Sequence, residues 1–234
     1  MSITKELLLP DRSSKDTINH KGRVVPFSYV NSKISDWHQK SHLKMVKRTV
    51  DVFGSMAILM VSSPIFVVLA IMVKATSKGP LFYAQERIGR NRKPFHLYKF
   101  RSMHHNAEKG HPVCAHKDDP RITSIGRWMR KTHLDELPNL FNVLRGDMSL
   151  VGPRPERLYF INKIIVKAPQ FNDLLMIKPG VTSWGQVEFG YAQHVDEMVK
   201  RMIFDLKYLH NCSLKTDFII LSKTFTTVIR GKGV

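Results

Sequence analysis

The chain has 234 residues, 43% of them hydrophobic, with 37 Lys/Arg against 19 Asp/Glu and a formal charge of +18 with His neutral. That length holds one sizeable core, and that charge suits nucleic acid, an anionic bilayer or a phosphate-rich substrate. Nothing in the chain resembles a zinc finger, an RNP motif or a helix-turn-helix, and the basic residues are spread out, so nucleic acid is set aside. Cys114 and Cys212 are the only cysteines. Reduced thiols in a cytosolic compartment are expected.

Residues 1–43 read as a polar N-terminal extension, a membrane-surface arm or a partly disordered tail. Val50 to Val73 is then a nearly continuous apolar run with Asp51 its only charge, interrupted by Ser62, Ser63 and Pro64. It begins too late for a signal peptide. Twenty-four residues give about 36 Å of helix, enough to cross a hydrocarbon core of about 30 Å. Charge argues against crossing. Residues 1–48 hold ten Lys/Arg against four Asp/Glu and residues 74–93 hold six against one, so both flanks prefer the cytoplasm. A re-entrant helix-break-helix over residues 44–78 satisfies both flanks, with Pro64 removing a donor and the serine hydroxyls patching the break. A single-pass anchor and a buried helix are the alternatives.

Leu81–Ile88 and Pro94–Arg101, joined through Gly89-Arg90-Asn91, predict a hairpin. Lys99 and Arg101 share one face of its second strand, and Tyr98 and Phe100 the other. The loop with His104, His105, His111, Cys114 and His116 matches no common zinc spacing, and a metal there is set aside.

Leu137, Leu140, Phe141 and Leu144 predict a helix starting near Asp135, with Pro138 in its first turn. Asp135 and Glu136 then sit at the N-terminus, where acids are ordinary caps. Their cationic company gives them a second reading: Arg127, Arg130 and Lys131 precede them, and Arg145 and Arg154 follow. An acidic pair among arginines suits Mg²⁺ and a polyphosphate, and an ionised Asp there could attack phosphorus.

The motifs Tyr98-Lys99-Phe100-Arg101-Ser102-Met103, Asp119-Pro120-Arg121-Ile122-Thr123, Leu134-Asp135-Glu136-Leu137-Pro138, Asn142-Val143-Leu144-Arg145-Gly146-Asp147-Met148-Ser149-Leu150-Val151-Gly152-Pro153-Arg154-Pro155 and Lys178-Pro179-Gly180-Val181-Thr182 occur in this order. From about Lys44 onward the chain resembles the bacterial sugar transferase family, the monotopic phosphoglycosyl transferases that start glycan assembly on polyprenyl phosphate. The resemblance implies Asp135 as the nucleophile that takes sugar phosphate from a UDP-sugar and releases UMP. Polyprenyl (undecaprenyl) phosphate then attacks the phospho-aspartate. It implies Mg²⁺ as cofactor held by Asp135 and Glu136, with Glu136 organising the metal or acting as a base. Lys99, Arg101, Arg130, Arg145 and Arg154 are the expected substrate-binding cations, and Ser63-Pro64 matches the family's helix-breaking pair. The multi-helix N-terminal bundle of larger relatives is not expected. Ser183 departs from a glycine frequent in relatives.

Val195, Met198, Val199, Met202, Ile203, Leu206 and Leu209 form one apolar stripe, with Lys200, Arg201 and Lys207 elsewhere on that helix. Leu214, Phe218, Leu221, Phe225 and Val228 form another. Either stripe suits packing on the core or lying at the bilayer interface. The expected fold is a mostly helical α+β protein: an extension over 1–43, a re-entrant membrane helix over 44–78 and a cytosolic catalytic domain over 79–234. Its expected location is the cytoplasmic face of the bacterial inner membrane. The expected pathway role is to initiate exopolysaccharide, capsule, O-antigen or glycoprotein glycan assembly and to supply downstream glycosyltransferases; a homodimer is left open. A non-enzymatic basic membrane adaptor is the other reading. The sequence does not specify the UDP-sugar.

Overall fold

The structure is a computed structural model that describes residues 17–18, 24–25, 41–104, 107, 112–116 and 119–231. It divides into two compact units, Met1–Gln39 and Lys40–Val234. In the first, β1 (Thr17–Ile18) pairs antiparallel with β2 (Val24–Val25). Most of the expected N-terminal arm lies outside the described residues, as do His105 and His111 of the histidine loop.

The second unit opens with α1 (Ser41–Thr76), 36 residues long with Pro64 inside it. At 1.5 Å per residue it extends about 54 Å, and it is long and apolar enough to cross a membrane. Proline leaves the carbonyl four residues back without its usual donor. Ser63 Oγ donates to that carbonyl, Met60 O, at 2.8 Å, and Ser62 Oγ donates to Ile58 O at 2.7 Å. The element is therefore one helix across Pro64, with side chains supplying the bond that the proline removed.

Both ends of α1 grip the same globular unit. Near its start, Arg48 donates to the carbonyls of Val143 and Leu144 at 2.6 and 2.8 Å. Asp51, the one charge in the apolar run, accepts from Ser149 Oγ and the Leu150 N–H, each at 2.9 Å. Toward its other end Leu69 and Val73 are buried in a cluster with Phe100 and Met129. Between these anchors, Met56, Ile58, Met60, Val61 and Ile65 are exposed.

The hairpin forms as its turn chemistry predicts. β3 (Phe82–Ile88) pairs antiparallel with β4 (Pro94–Phe100), putting Tyr83 opposite Lys99 and Phe82 opposite Phe100. Asn91 and Arg92 take positive φ in the connection. α2 (Ser124–Lys131) is capped by Thr123, whose side chain accepts from the Gly126 N–H. Its Gly126 lies so close to β4's exit that a Cβ would stand 1.9 Å from Ser102 O.

α3 (Asn139–Arg145) ends at left-handed Gly146. Buried Asn142 ties α3 to β4, donating to His96 O at 2.7 Å and accepting from the Tyr98 N–H at 3.2 Å. β5 (Ser149–Val151) and β6 (Gly180–Thr182) form a short parallel pair. Around it pack α4 (Leu158–Lys167), α5 (Phe171–Leu174), α6 (Trp184–Glu188), α7 (Val195–His210) and α8 (Leu214–Ile229).

The last two helices depart from the sequence pattern. On α7, Arg201 and Asp205 are buried beside Met198 and Met202, whereas Ile203 is exposed, because two polar residues find partners inside. On α8 the inward face is Asp217, Ile220 and Thr224, with Asp217 bound to Lys47 and Tyr208. The apolar stripe points outward instead, with Phe218 71% and Phe225 69% exposed.

Candidate active site

Asp135 and Glu136 lie in a 3₁₀ turn, Leu134–Glu136, entered from His133 in the left-handed region (φ 57°). The helix expected to start near Asp135 begins only at Asn139, with Pro138 as its N-cap residue. The dyad thus belongs to a tight turn, whose left-handed entry and 3₁₀ geometry separate it from the helix after Pro138.

The two carboxylates differ in their surroundings. Glu136 Oε1 meets Lys99 Nζ at 2.5 Å and an Arg154 guanidinium nitrogen at 3.3 Å. Burial alone would raise its pKa, but Lys99 and Arg154 outweigh burial and hold it below the usual carboxylate range. Asp135 is 5% exposed. Burial pushes its pKa up, against the pull of Lys99 and with the help of the Glu136 charge. The carboxylate expected to stay ionised through its cations is thus the one that burial favours protonating.

Both acids border a cavity of about 1100 Å³, together with Lys99, Arg101, Arg130 and Arg154. Lys99 and Arg154 converge on Glu136. Arg130 donates from Nε to Ser102 Oγ at 2.8 Å. Arg101 directs its guanidinium to the carbonyls of Ser77 and Pro80, just after α1. Arg145 is outside the cavity lining: its side chain is well exposed, 3.5 Å from Asp147 and 3.4 Å from the Tyr98 hydroxyl.

Residue patterns missed part of this wall. Glu156 is buried between Arg87, at 3.4 Å, and Arg201. All three border the cavity. Arg201, which lies off the apolar stripe of its helix, finds this partner 45 residues away in sequence. Asp205 is buried behind the wall, accepting the Gly185 N–H at 2.8 Å and the Arg154 backbone N–H, and its pKa is raised to about 6 by burial. Ser183, the departure from glycine, caps α6 by accepting from the Gln186 N–H at 3.0 Å.

Among the described residues no three His, Cys, Asp or Glu side chains converge as a metal cluster. Two adjacent carboxylates, one of them without an ion pair among the described residues, suit an ion that takes its remaining oxygens from phosphate and water. That is the usual manner of Mg²⁺ at phosphate-handling sites.

Residues 42–231 match the family described as bacterial sugar transferase, and the chain belongs to that family. Over 188 residues, 80% of this chain, it is 37% identical to the UDP-N-acetylgalactosamine-undecaprenyl-phosphate N-acetylgalactosaminephosphotransferase of Aeromonas hydrophila. Over 197 residues, also 80% of the chain, it is 36% identical to the UDP-glucose:undecaprenyl-phosphate glucose-1-phosphate transferase of Escherichia coli (strain K12). The chain spans 44% and 40% of the length of those two proteins. A putative undecaprenyl-phosphate N-acetylgalactosaminyl 1-phosphate transferase of Bacillus subtilis (strain 168) is 47% identical over 130 residues, which is 56% of this chain and 73% of that protein.

Proposed function

We propose that the chain is a phosphoglycosyl transferase that moves a sugar 1-phosphate from a UDP-sugar to polyprenyl phosphate at a membrane surface. The asymmetry of the acidic pair carries this reading: Glu136 is ion-paired with two cations, while Asp135 is buried beside it and, among the described residues, makes no ion pair. A carboxylate oxygen of Asp135 attacks the sugar-bearing phosphorus of the donor, and the bond to the bridging oxygen breaks, releasing UMP. A phosphate oxygen of the acceptor then attacks the same phosphorus. The bond to Asp135 breaks, leaving polyprenyl diphosphate sugar and a free carboxylate. Lys99, Arg130 and Arg154 hold phosphate oxygens along this path. Mg²⁺ held by Asp135 and Glu136 would offset the crowded phosphate charge.

The names of the relatives support a UDP-sugar and undecaprenyl phosphate as substrates. The anchors of α1 support the re-entrant reading. A straight span would carry Arg48 and Val73 to opposite sides of the bilayer, yet one hydrogen-bonds to α3 and the other packs on Phe100 and Met129. The exposed stripe of α8 fits the interfacial role left open for it, on the cytoplasmic face of the membrane. The test is UMP release and transfer of labelled sugar phosphate into lipid, across UDP-glucose, UDP-galactose and UDP-N-acetylgalactosamine. Membrane binding with no lipid-linked sugar from any donor would favour the adaptor.

A further inference from the structure

Arg154 stands between two prolines. Proline has no backbone N–H, so residues 153–155 carry a single amide donor, that of Arg154. The stretch around it is tied by other groups: the Gly152 N–H donates to Thr182 O at 3.1 Å, Pro153 O accepts from the Gly180 N–H at 2.9 Å, Pro155 O from Arg87 at 3.0 Å and Glu156 O from the Ile88 N–H at 3.0 Å. The single amide is left to Asp205 of α7, whose carboxylate accepts it. Through its guanidinium, 3.3 Å from Glu136, the same arginine reaches the acidic pair.

One turn of α7 holds this loop at two points. Asp205 takes the Arg154 amide, and Arg201, one turn earlier, is ion-paired with Glu156, just beyond Arg154. Glu136 and Glu156 each face two cations. Asp205 is 3% exposed, faces the Arg201 charge on its own helix and, among the described residues, makes no ion pair. Its oxygens are filled by donors instead: the Arg154 amide, the Gly185 N–H at 2.8 Å and the Ser183 side chain. α6 comes this close because residue 185 is glycine; a Cβ there would lie 2.7 Å from Arg201 Cγ and 3.0 Å from Asp205 Oδ1. Packing alone does not call for a carboxylate at this position, since burying one costs free energy that its hydrogen bonds only offset.

We propose that Asp205 is a positioning residue for phosphoryl transfer: from behind the cavity wall it fixes the one amide between the two prolines, and so sets the Arg154 guanidinium where it meets both Glu136 and the donor phosphates. Asp205 touches neither substrate nor the reacting atoms and acts through Arg154. The inference rests on the phosphotransferase reading above. Without this acceptor the Arg154 amide loses its partner and the loop relaxes, carrying the guanidinium off its place. Misplacement by about 1 Å is enough to cost about 100-fold in rate.

The test is a double-mutant cycle on the full chain in phosphatidylethanolamine/phosphatidylglycerol vesicles, with undecaprenyl phosphate and a UDP-sugar that the wild type accepts. Asp205→Asn, which keeps the shape and turns an NH2 toward the donors, is made alone and together with Arg154→Ala. UMP release is followed with protein in excess over labelled donor, so that slow variants stay measurable. Alone, Asp205→Asn should lower donor kcat/KM about 10–100-fold. With Arg154→Ala already present it should cost less than about twofold, because no guanidinium remains to be placed. Equal losses in both backgrounds overturn the proposal, since a merely structural defect does not depend on the side chain at 154. Wild-type rates in either single variant overturn it too. Ser183→Ala removes another donor to Asp205 and leaves the Arg154 amide bonded; a loss as large as that of Asp205→Asn would place the effect in α6 and also overturn it. Hydrogen exchange on the unmodified chain needs no variant and no substrate: the Arg154 amide should be protected at least about 100-fold over the free chain, and exchange at the free-chain rate overturns the contact itself. A wild type that releases no UMP from any donor would sink the phosphotransferase reading instead, and the exchange of that amide would still decide whether Asp205 holds the loop.

Discussion

Asp135 and Glu136 are neighbours in sequence with opposite electrostatic fates. Glu136 is held charged by Lys99 and Arg154, whereas Asp135 is buried and raised. Asp135→Asn keeps the volume and removes the proposed nucleophile, so UMP release should fall at least about 1000-fold with the thermal midpoint little changed. Purified variant protein assayed for UMP would check it, and activity within tenfold of wild type would remove Asp135 from the chemistry. A different carboxylate gives stability a pH dependence. Asp173 is buried, its Oδ2 has no hydrogen-bond partner among the described residues, and burial raises its pKa to about 6 from 3.8. The native state therefore holds this proton more tightly than the unfolded chain. The resulting penalty is absent below about pH 4 and complete above about pH 6, so stability falls as pH rises through that window. Asp173→Asn should flatten that slope and add about 1–2 kcal/mol at pH 7 in denaturant unfolding. The dyad and its cations were legible because they sit in contiguous motifs. Arg87, Glu156, Arg201 and Asp205 were not, because their partners are brought together from distant strands and helices, and no local spacing encodes that.

At the scale of elements, the hairpin and the existence of α7 were legible from period and turn residues, whereas the polar part of α7's buried face and the orientation of α8 were not. Periodicity identifies an apolar stripe but not which neighbour covers it. On α8 the inward side is chosen by Asp217, which meets Lys47 of α1 and Tyr208 of α7, and the Phe218–Phe225 stripe is left outside. Asp51 shows the converse. A charge in an apolar run reads as a membrane defect, yet it fastens α1 to β5. Some contacts leave no sequence signal beyond a small residue. Gly126 brings α2 onto the backbone at Ser102, whose hydroxyl in turn accepts from Arg130. Gly126→Ala cannot keep that approach, because its Cβ would fall 1.9 Å from Ser102 O. Displacement of the helix should lower stability by about 2–4 kcal/mol and weaken donor use through Arg130. A thermal midpoint within 1–2 °C of wild type, on the order of 0.5 kcal/mol or less, would mean that the contact is looser than described.

For the whole molecule, the proposed re-entrant topology of α1 rests on two forces that act in the same direction. The flanks are basic, with ten Lys/Arg against four Asp/Glu over residues 1–48, so carrying the N-terminus across the bilayer opposes the positive-inside bias. The helix is also fastened at both ends to one unit, by Arg48 and Asp51 at one and by Leu69 and Val73 at the other. Crossing would break one set of anchors and leave Asp51 without its partners in the membrane. Single cysteines replacing Lys5 or exposed Arg90, in a chain with Cys114 and Cys212 changed to Ser, should both resist an impermeant thiol reagent outside intact cells. Both should react after permeabilisation. Ser63 and Pro64 are exposed in α1, so Ser63→Leu with Pro64→Leu restores a backbone donor and adds apolar surface without disturbing buried Ser62. That doubly substituted helix gains for spanning but still carries the basic arm, so a mixture is expected: partial outside labelling at position 5, none at position 90, and reduced lipid-linked product. Adding Asp51→Leu removes one anchor and the one charge of the run, and should increase the outside-labelled fraction further. Outside labelling at position 5 in the otherwise unmodified chain would mean that α1 spans already and that its anchors to α3 and β5 do not hold in the bilayer.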